Sequence, residues 1–206
     1  MGGEELCAVS SQAYLGVEIH ERLSWKSHIE AVASKAGRTL GFLRRNLGKC
    51  SPALKKQAYI SLVRSQLEYA SVIWDPHKQN QIDRLEQIQR RAVRFVSGNY
   101  QRDTSVTAMR EDLCLSTLEE RRRRARTTMF YKVINNLIAI PTPDYLQQRT
   151  RTTRSSQRQR FVRLSSTSDT YKHSFFPRTL RDWDALPQNV IELPSVAQFK
   201  GAIEAN

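Results

Sequence analysis

The sequence predicts a mostly α protein: a helical bundle with a short N-terminal strand and a small, partly irregular C-terminal region. Three observations predict it. Apolar residues recur at helical spacing over long stretches between residues 27 and 137. Helix punctuation sits at the ends of those stretches, namely Ser51-Pro52, Gly48, Gly98 and Ser116-x-x-Glu119. One short segment near the N-terminus is β-branched and aromatic, Ala13 to Ile19.

Residues 13–19 read as a strand, and a lone strand is not stable, so residues 5–10 or a missing neighbour should pair with it. A helix follows from about Ser27 to Leu47. Ile29, Val32, Ala33, Ala36, Leu40, Leu43 and Leu47 face the core, and Gly48 stands at C′. Lys35, Arg38 and Arg45 lie on its opposite side. Ser51 and Pro52 open a second helix to about Val72. Leu54, Ala58, Leu62, Tyr69 and Val72 line one of its faces and Ile60, Val63 and Leu67 the other, which predicts a central place in a bundle.

A third helix spans about Gln79 to Ser97, closed by Gly98. Ile82, Leu85, Ile88, Ala92, Phe95 and Val96 form its buried stripe, and Gln87, Arg90, Arg91 and Arg94 point the other way. Thr104 is the expected cap of a short helix over about 105–113. Ser116 and Glu119 match a capping box for a fourth long helix to about Leu137. Its run Arg121 to Arg124 sweeps about 300° at roughly 100° per residue, so all four cannot face one ligand. Arg121, Arg124, Tyr131 and Lys132 share an outward sector. Arg122 falls on the apolar stripe and must snorkel or meet an acid. Residues 147–160 are Gln, Arg, Thr and Ser, expected as a linker. A short helix ends near Asp184, and Ser195 caps a last one from Val196 to about Ala205.

Charge narrows the function classes. The 206 residues carry 33 Lys and Arg against 20 Asp and Glu, a net +13. Residues 117–163 hold twelve of those cations against three acids, leaving +9 there. Arginine outnumbers lysine, 24 to 9, and Arg favours bidentate phosphate contacts and stacking on bases. The basic faces of the third and fourth helices therefore suit a nucleic acid, with a plain solvated surface as the alternative.

Other chemistry finds no kit. Cys7, Cys50 and Cys114 form no CxxC pair, and the plain reading is reduced thiols in an intracellular protein. No GxSxG elbow or phosphate-cradling Gly loop occurs. His20, His28, His77 and His173 stand alone in sequence and are expected at the surface. Asp182 and Asp184 flank Trp183, which is expected to be buried between surface charges. No run of about 18 apolar residues occurs, so no membrane span is expected.

Six segments in order resemble a known family. They are Tyr14-Leu15-Gly16-Val17 with Leu23-Ser24-Trp25-Lys26-Ser27-His28-Ile29; residues 59–70, from Tyr59-Ile60-Ser61-Leu62 to Leu67-Glu68-Tyr69-Ala70; Trp74-Asp75-Pro76; residues 85–96, with Gln87-Ile88-Gln89-Arg90-Arg91; Ser116 to Arg122; and Ser174 to Pro187, with Phe175-Phe176-Pro177 and Arg181-Asp182-Trp183. This string, spanning about residues 13–190, resembles non-LTR retrotransposon reverse transcriptases just downstream of the catalytic palm. The resemblance implies four regions. Residues 1–26 would be a palm remnant with a primer-grip-like Tyr14, Leu15 and Gly16, and 27–98 a thumb-like helical bundle. Residues 99–140 would be a helical extension, and 141–206 a basic linker with a small C-terminal region.

The family's polymerase turn is Tyr/Phe-x-Asp-Asp, part of a two-metal site. This chain has no Asp-Asp pair. The resemblance thus implies a truncated or partial gene product with no catalytic residue and no cofactor of its own, although the parent enzyme needs Mg ions. Its expected partners are RNA or an RNA–DNA hybrid, contacted by Lys35, Arg38, Arg45, Gln87, Arg90, Arg91, Arg94, Arg121, Arg124, Tyr131 and Lys132. The alternative is an inert or protein-interaction remnant whose helices dock on the missing palm and fingers.

Overall fold

The computed structural model describes residues 9–141, 146–147, 161–162, 165 and 168–205. The chain is mostly helical, with one two-stranded antiparallel sheet near its N-terminus. It divides into two compact units, residues 1–70 with 76–118, and residues 71–75 with 119–206. These boundaries differ from the divisions at 26, 98 and 140 that the sequence suggests.

In the first unit, β1 (Ser11–Tyr14) pairs with β2 (Val17–His20), Ser11 opposite His20 and Tyr14 opposite Val17. Leu15 (φ 47) and Gly16 (φ 79) form the turn. Two positive φ angles are what a two-residue type I′ hairpin turn requires. The segment read as one strand is therefore folded in half, with residues 11–14 pairing 17–20; Ser10 adds an acceptor for the Glu21 N–H at 2.9 Å, and residues 5–8 of the expected partner lie outside the described residues. The Tyr69 hydroxyl donates to the Leu15 carbonyl at 2.9 Å and ties the turn down.

Helix α1 (Lys26–Asn46) buries Ile29, Ala33, Ala36, Leu40 and Leu43. Its last turn closes with the Leu47 N–H on the Leu43 carbonyl, without a left-handed Gly48. Helix α2 (Pro52–Ala58) starts at Ser51, whose side chain accepts the Leu54 N–H. It runs on through a π-helical segment (Tyr59–Arg64) into α3 (Ser65–Glu68). Lys55, Tyr59, Val63 and Leu67 are buried, while Leu54, Leu62 and Tyr69 are exposed, so only one face meets the core. A strict four-residue spacing drifts round an α-helix of 3.6 residues per turn. A π segment takes more residues per turn and cancels that drift, which keeps all four residues on one line. Left-handed Ala70 ends the run before α4 (Ser71–Trp74).

Helix α5 (Gln79–Ser97) matches its predicted bounds and stripe, and Gly98 closes it in the left-handed region at φ 68. Glu30 pairs with Arg84 at 3.1 Å and Gly37 lies against Ile88. The contacts advance together along both chains, so α1 and α5 run parallel. Helix α6 (Val106–Asp112) is capped by Ser105, not Thr104.

Helix α7 (Leu118–Ile134) stops short of Leu137, with Asn136 left-handed (φ 53). The second unit also holds α8 (Asp169–Lys172), α9 (Phe175–Asp184), α10 (Gln188–Ile191) and α11 (Val196–Ala205). Ser195 accepts the Gln198 N–H and caps α11 as predicted. Trp183 is buried as expected, its ring 5.0 Å from Phe130 and 5.7 Å from Phe199. Leu180, Val190, Ile191 and Ile203 complete that core. Of the linker expected over 147–160, residues 148–160 lie outside the described residues.

Candidate nucleic-acid interface

The first unit carries its candidate cations on two helices. Lys35, Arg38 and Arg45 are exposed on α1, and Gln87, Arg90 and Arg91 are exposed on α5. Among the described residues none of these five cations makes an ion pair. Two acids of this unit are engaged with other arginines, Glu30 with Arg84 and Glu68 with Arg64. Apolar periodicity on the inner faces of α1 and α5 fixes these side chains outward. Arg94 differs. It is half-buried, and its Nη1 donates to the Gln101 carbonyl at 2.7 Å, holding the loop after α5.

The sequence reading missed a cleft where α1 and α5 end. Arg44, Arg45, Lys55, Phe95 and Tyr100 line it together with three glycines. Its signal was the basic last turn of α1 followed, across α5, by an aromatic just past a glycine cap.

In the second unit, Arg121, Arg124 and Lys132 line a surface cleft with Lys200 and Glu204. Arg124 is not free for a ligand: its Nη2 donates to Glu120 at 2.6 Å and to the Glu204 carbonyl at 3.3 Å. Tyr131 is a correction. It is buried, stacked on Phe199 at 4.4 Å, and its hydroxyl donates to the Leu193 carbonyl at 2.5 Å. The apolar face of α7 is wider than a helical wheel with four arginines suggests, because Arg122 and Arg126 are buried as well.

Those two arginines meet Asp75. Its Oδ1 accepts the Arg122 Nε–H, its Oδ2 accepts from Arg126, and Arg178 donates to its backbone carbonyl at 2.9 Å. Arg126 also bonds Asp182. Arg122 thus finds the acidic partner its position demanded. Asp182, read as a surface charge, closes a buried network. The roles of Arg126 and Arg178 were not legible from spacing.

One further residue moves from its expected place. His28 is buried, not at the surface, and its Nδ1 accepts the Glu18 N–H at 3.2 Å. Burial pushes its pKa below the usual histidine value, opposed by the nearby Glu18 carboxylate. Tyr14 and Leu15 are exposed at the hairpin tip, with Gly16 beside the Tyr69 ring.

No protein-family model, curated protein or solved structure matches this chain. No helix among the described residues is long and apolar enough to cross a membrane.

Proposed function

We propose that this chain binds RNA or an RNA–DNA duplex through α1 and α5, as the thumb of a reverse-transcriptase-like protein, without polymerising by itself. The observation that carries the reading is the set of five outward cations on two packed helices, none paired with a carboxylate among the described residues. Isolated surface cations made for solubility are usually interspersed with acids. Unpaired arginines keep their full charge for phosphate oxygens and release counterions on binding. The absent Asp-Asp pair supports a holding role over an extending one. The test is filter binding of a labelled RNA–DNA hybrid to the chain and to a Lys35→Gln/Arg38→Gln/Arg90→Gln/Arg91→Gln variant. The reading requires clear loss in the variant, and equal binding by both proteins rejects it.

A second reading, docking on another protein surface, is favoured by the hairpin tip, where Tyr14 is 66% and Leu15 74% exposed. Large apolar side chains at a rigid turn suit a partner more than solvent. That reading predicts poorly cooperative unfolding of the isolated chain, and a sharp single transition counts against it.

A further inference from the structure

The cleft at the ends of α1 and α5 has a volume of about 530 Å³. That lies within the roughly 300–1,000 Å³ usual for small-molecule sites. Three cations line it and no carboxylate does. Lys55 is only 8% exposed, with its ammonium 5.5 Å over the Phe95 ring. The Arg44 guanidinium lies 5.5 Å from the Tyr100 ring centre, and Tyr100 is itself 53% exposed. None of Arg44, Arg45 and Lys55 has an acidic partner among the described residues.

These cations also serve the fold. The carbonyl ends of α1 and α5 both point toward this place, and cations favour helix C-termini. Each end amounts to roughly half a negative charge, so two ends offset about one of the three cations. The cleft therefore keeps about two positive charges without a counterpart, which an anion entering it would supply. An exposed aromatic ring at the rim adds a stacking platform for a base.

We propose that this cleft binds a phosphorylated nucleotide, with the phosphates against Lys55, Arg44 and Arg45 and the base on the exposed face of Tyr100. The nucleotide is either free or the 5′-phosphorylated end of a single-stranded RNA. This site shares Arg45 with the proposed duplex face, while Arg44, Lys55 and Tyr100 belong to the cleft alone, and its test uses no duplex.

The test is calorimetric titration of the full chain at low salt with ATP, with inorganic pyrophosphate, and with a short single-stranded RNA bearing a 5′-phosphate or a 5′-hydroxyl. Arg44→Gln and Lys55→Gln are expected to weaken the bound species about tenfold each, the scale of one charge-assisted hydrogen bond. Tyr100→Ala should weaken ATP or RNA while leaving pyrophosphate unchanged. Tight ATP binding assigns the free nucleotide. A preference for the 5′-phosphate over the 5′-hydroxyl RNA, with weak ATP, assigns the RNA end. Arg44 and Tyr100 are exposed, so these two variants remain informative if Lys55→Gln misfolds. No binding by the chain, or Arg44→Gln and Tyr100→Ala indistinguishable from it on every probe, overturns the proposal.

Discussion

Asp75 accepts the Arg122 Nε–H at 2.9 Å, and the two side chains are only 5% and 1% exposed. Asp75 also serves Arg126 and Arg178, so one carboxylate anchors three guanidinium groups, with Asp182 sharing one of them. The Nη1 and Nη2 of Arg122 have no hydrogen-bond partner among the described residues. The pair is thus asymmetric: the acid is over-subscribed and the base under-satisfied. Asp75→Asn should destabilise the second unit by about 3–5 kcal/mol, because it strands buried cations. Arg122→Met should cost far less, since it removes the unmet donors and leaves Asp75 with two partners. Urea denaturation followed by tryptophan fluorescence compares the two, Trp74 and Trp183 being buried there. Equal losses would contradict this reading of the network.

Tyr131 offers a cleaner separation of stability from binding. Tyr131→Phe removes one buried hydrogen bond to Leu193 and should cost about 1 kcal/mol. Binding to an RNA–DNA hybrid should not change. A loss of affinity at full folding would return Tyr131 to the interface.

The sequence reading succeeds where a side chain's place follows from local periodicity and a cap. Helix α5 with Gly98, and α11 with Ser195, are of that kind. It fails where the deciding contact is distant in the chain. Leu15 takes a positive φ that leucine rarely adopts, and Tyr69, 54 residues away, holds that turn. The π segment reverses the reading of Leu54 and Leu62 because it changes the angular step. Tyr131 looks polar on a wheel, yet Phe199 and the Leu193 carbonyl supply both its apolar and its polar partner. The outward side of Arg90 and Arg91 on α5 was legible, since the apolar stripe of the same helix fixes it, whereas the Gln101 carbonyl holds Arg94.

His28 should give the first unit an acid sensitivity. Its folded pKa is lowered by burial, below an unfolded value near 6.5. Stability from this group is therefore present above about pH 6.5 and lost as pH falls through the folded value. Melting temperatures should drop from neutral toward acidic pH more in the wild type than in His28→Asn, which keeps an acceptor for the Glu18 N–H but does not titrate. An NMR titration placing His28 above the usual histidine value would contradict this.

Arg124 and Arg90 make opposite predictions despite equal charge. Arg124→Gln breaks its bonds to Glu120 and Glu204 and should lower stability with little effect on hybrid binding. Arg90→Gln touches no internal partner among the described residues and should lower binding while the melting temperature holds. Paired thermal melts and binding isotherms decide it, and the reverse pattern would move the interface to α7.

The central claim is that α1 and α5 hold nucleic acid by phosphate contacts. Its most direct measurement is the salt dependence of hybrid-duplex affinity. Each contact contributes a slope of about −0.9 in log K against log salt on B-DNA, so several contacts predict a slope steeper than about −2. The Lys35→Gln/Arg38→Gln/Arg90→Gln/Arg91→Gln variant should bind more weakly with a flatter slope. A slope near zero for the wild type, or an unchanged slope in the variant, would contradict the account.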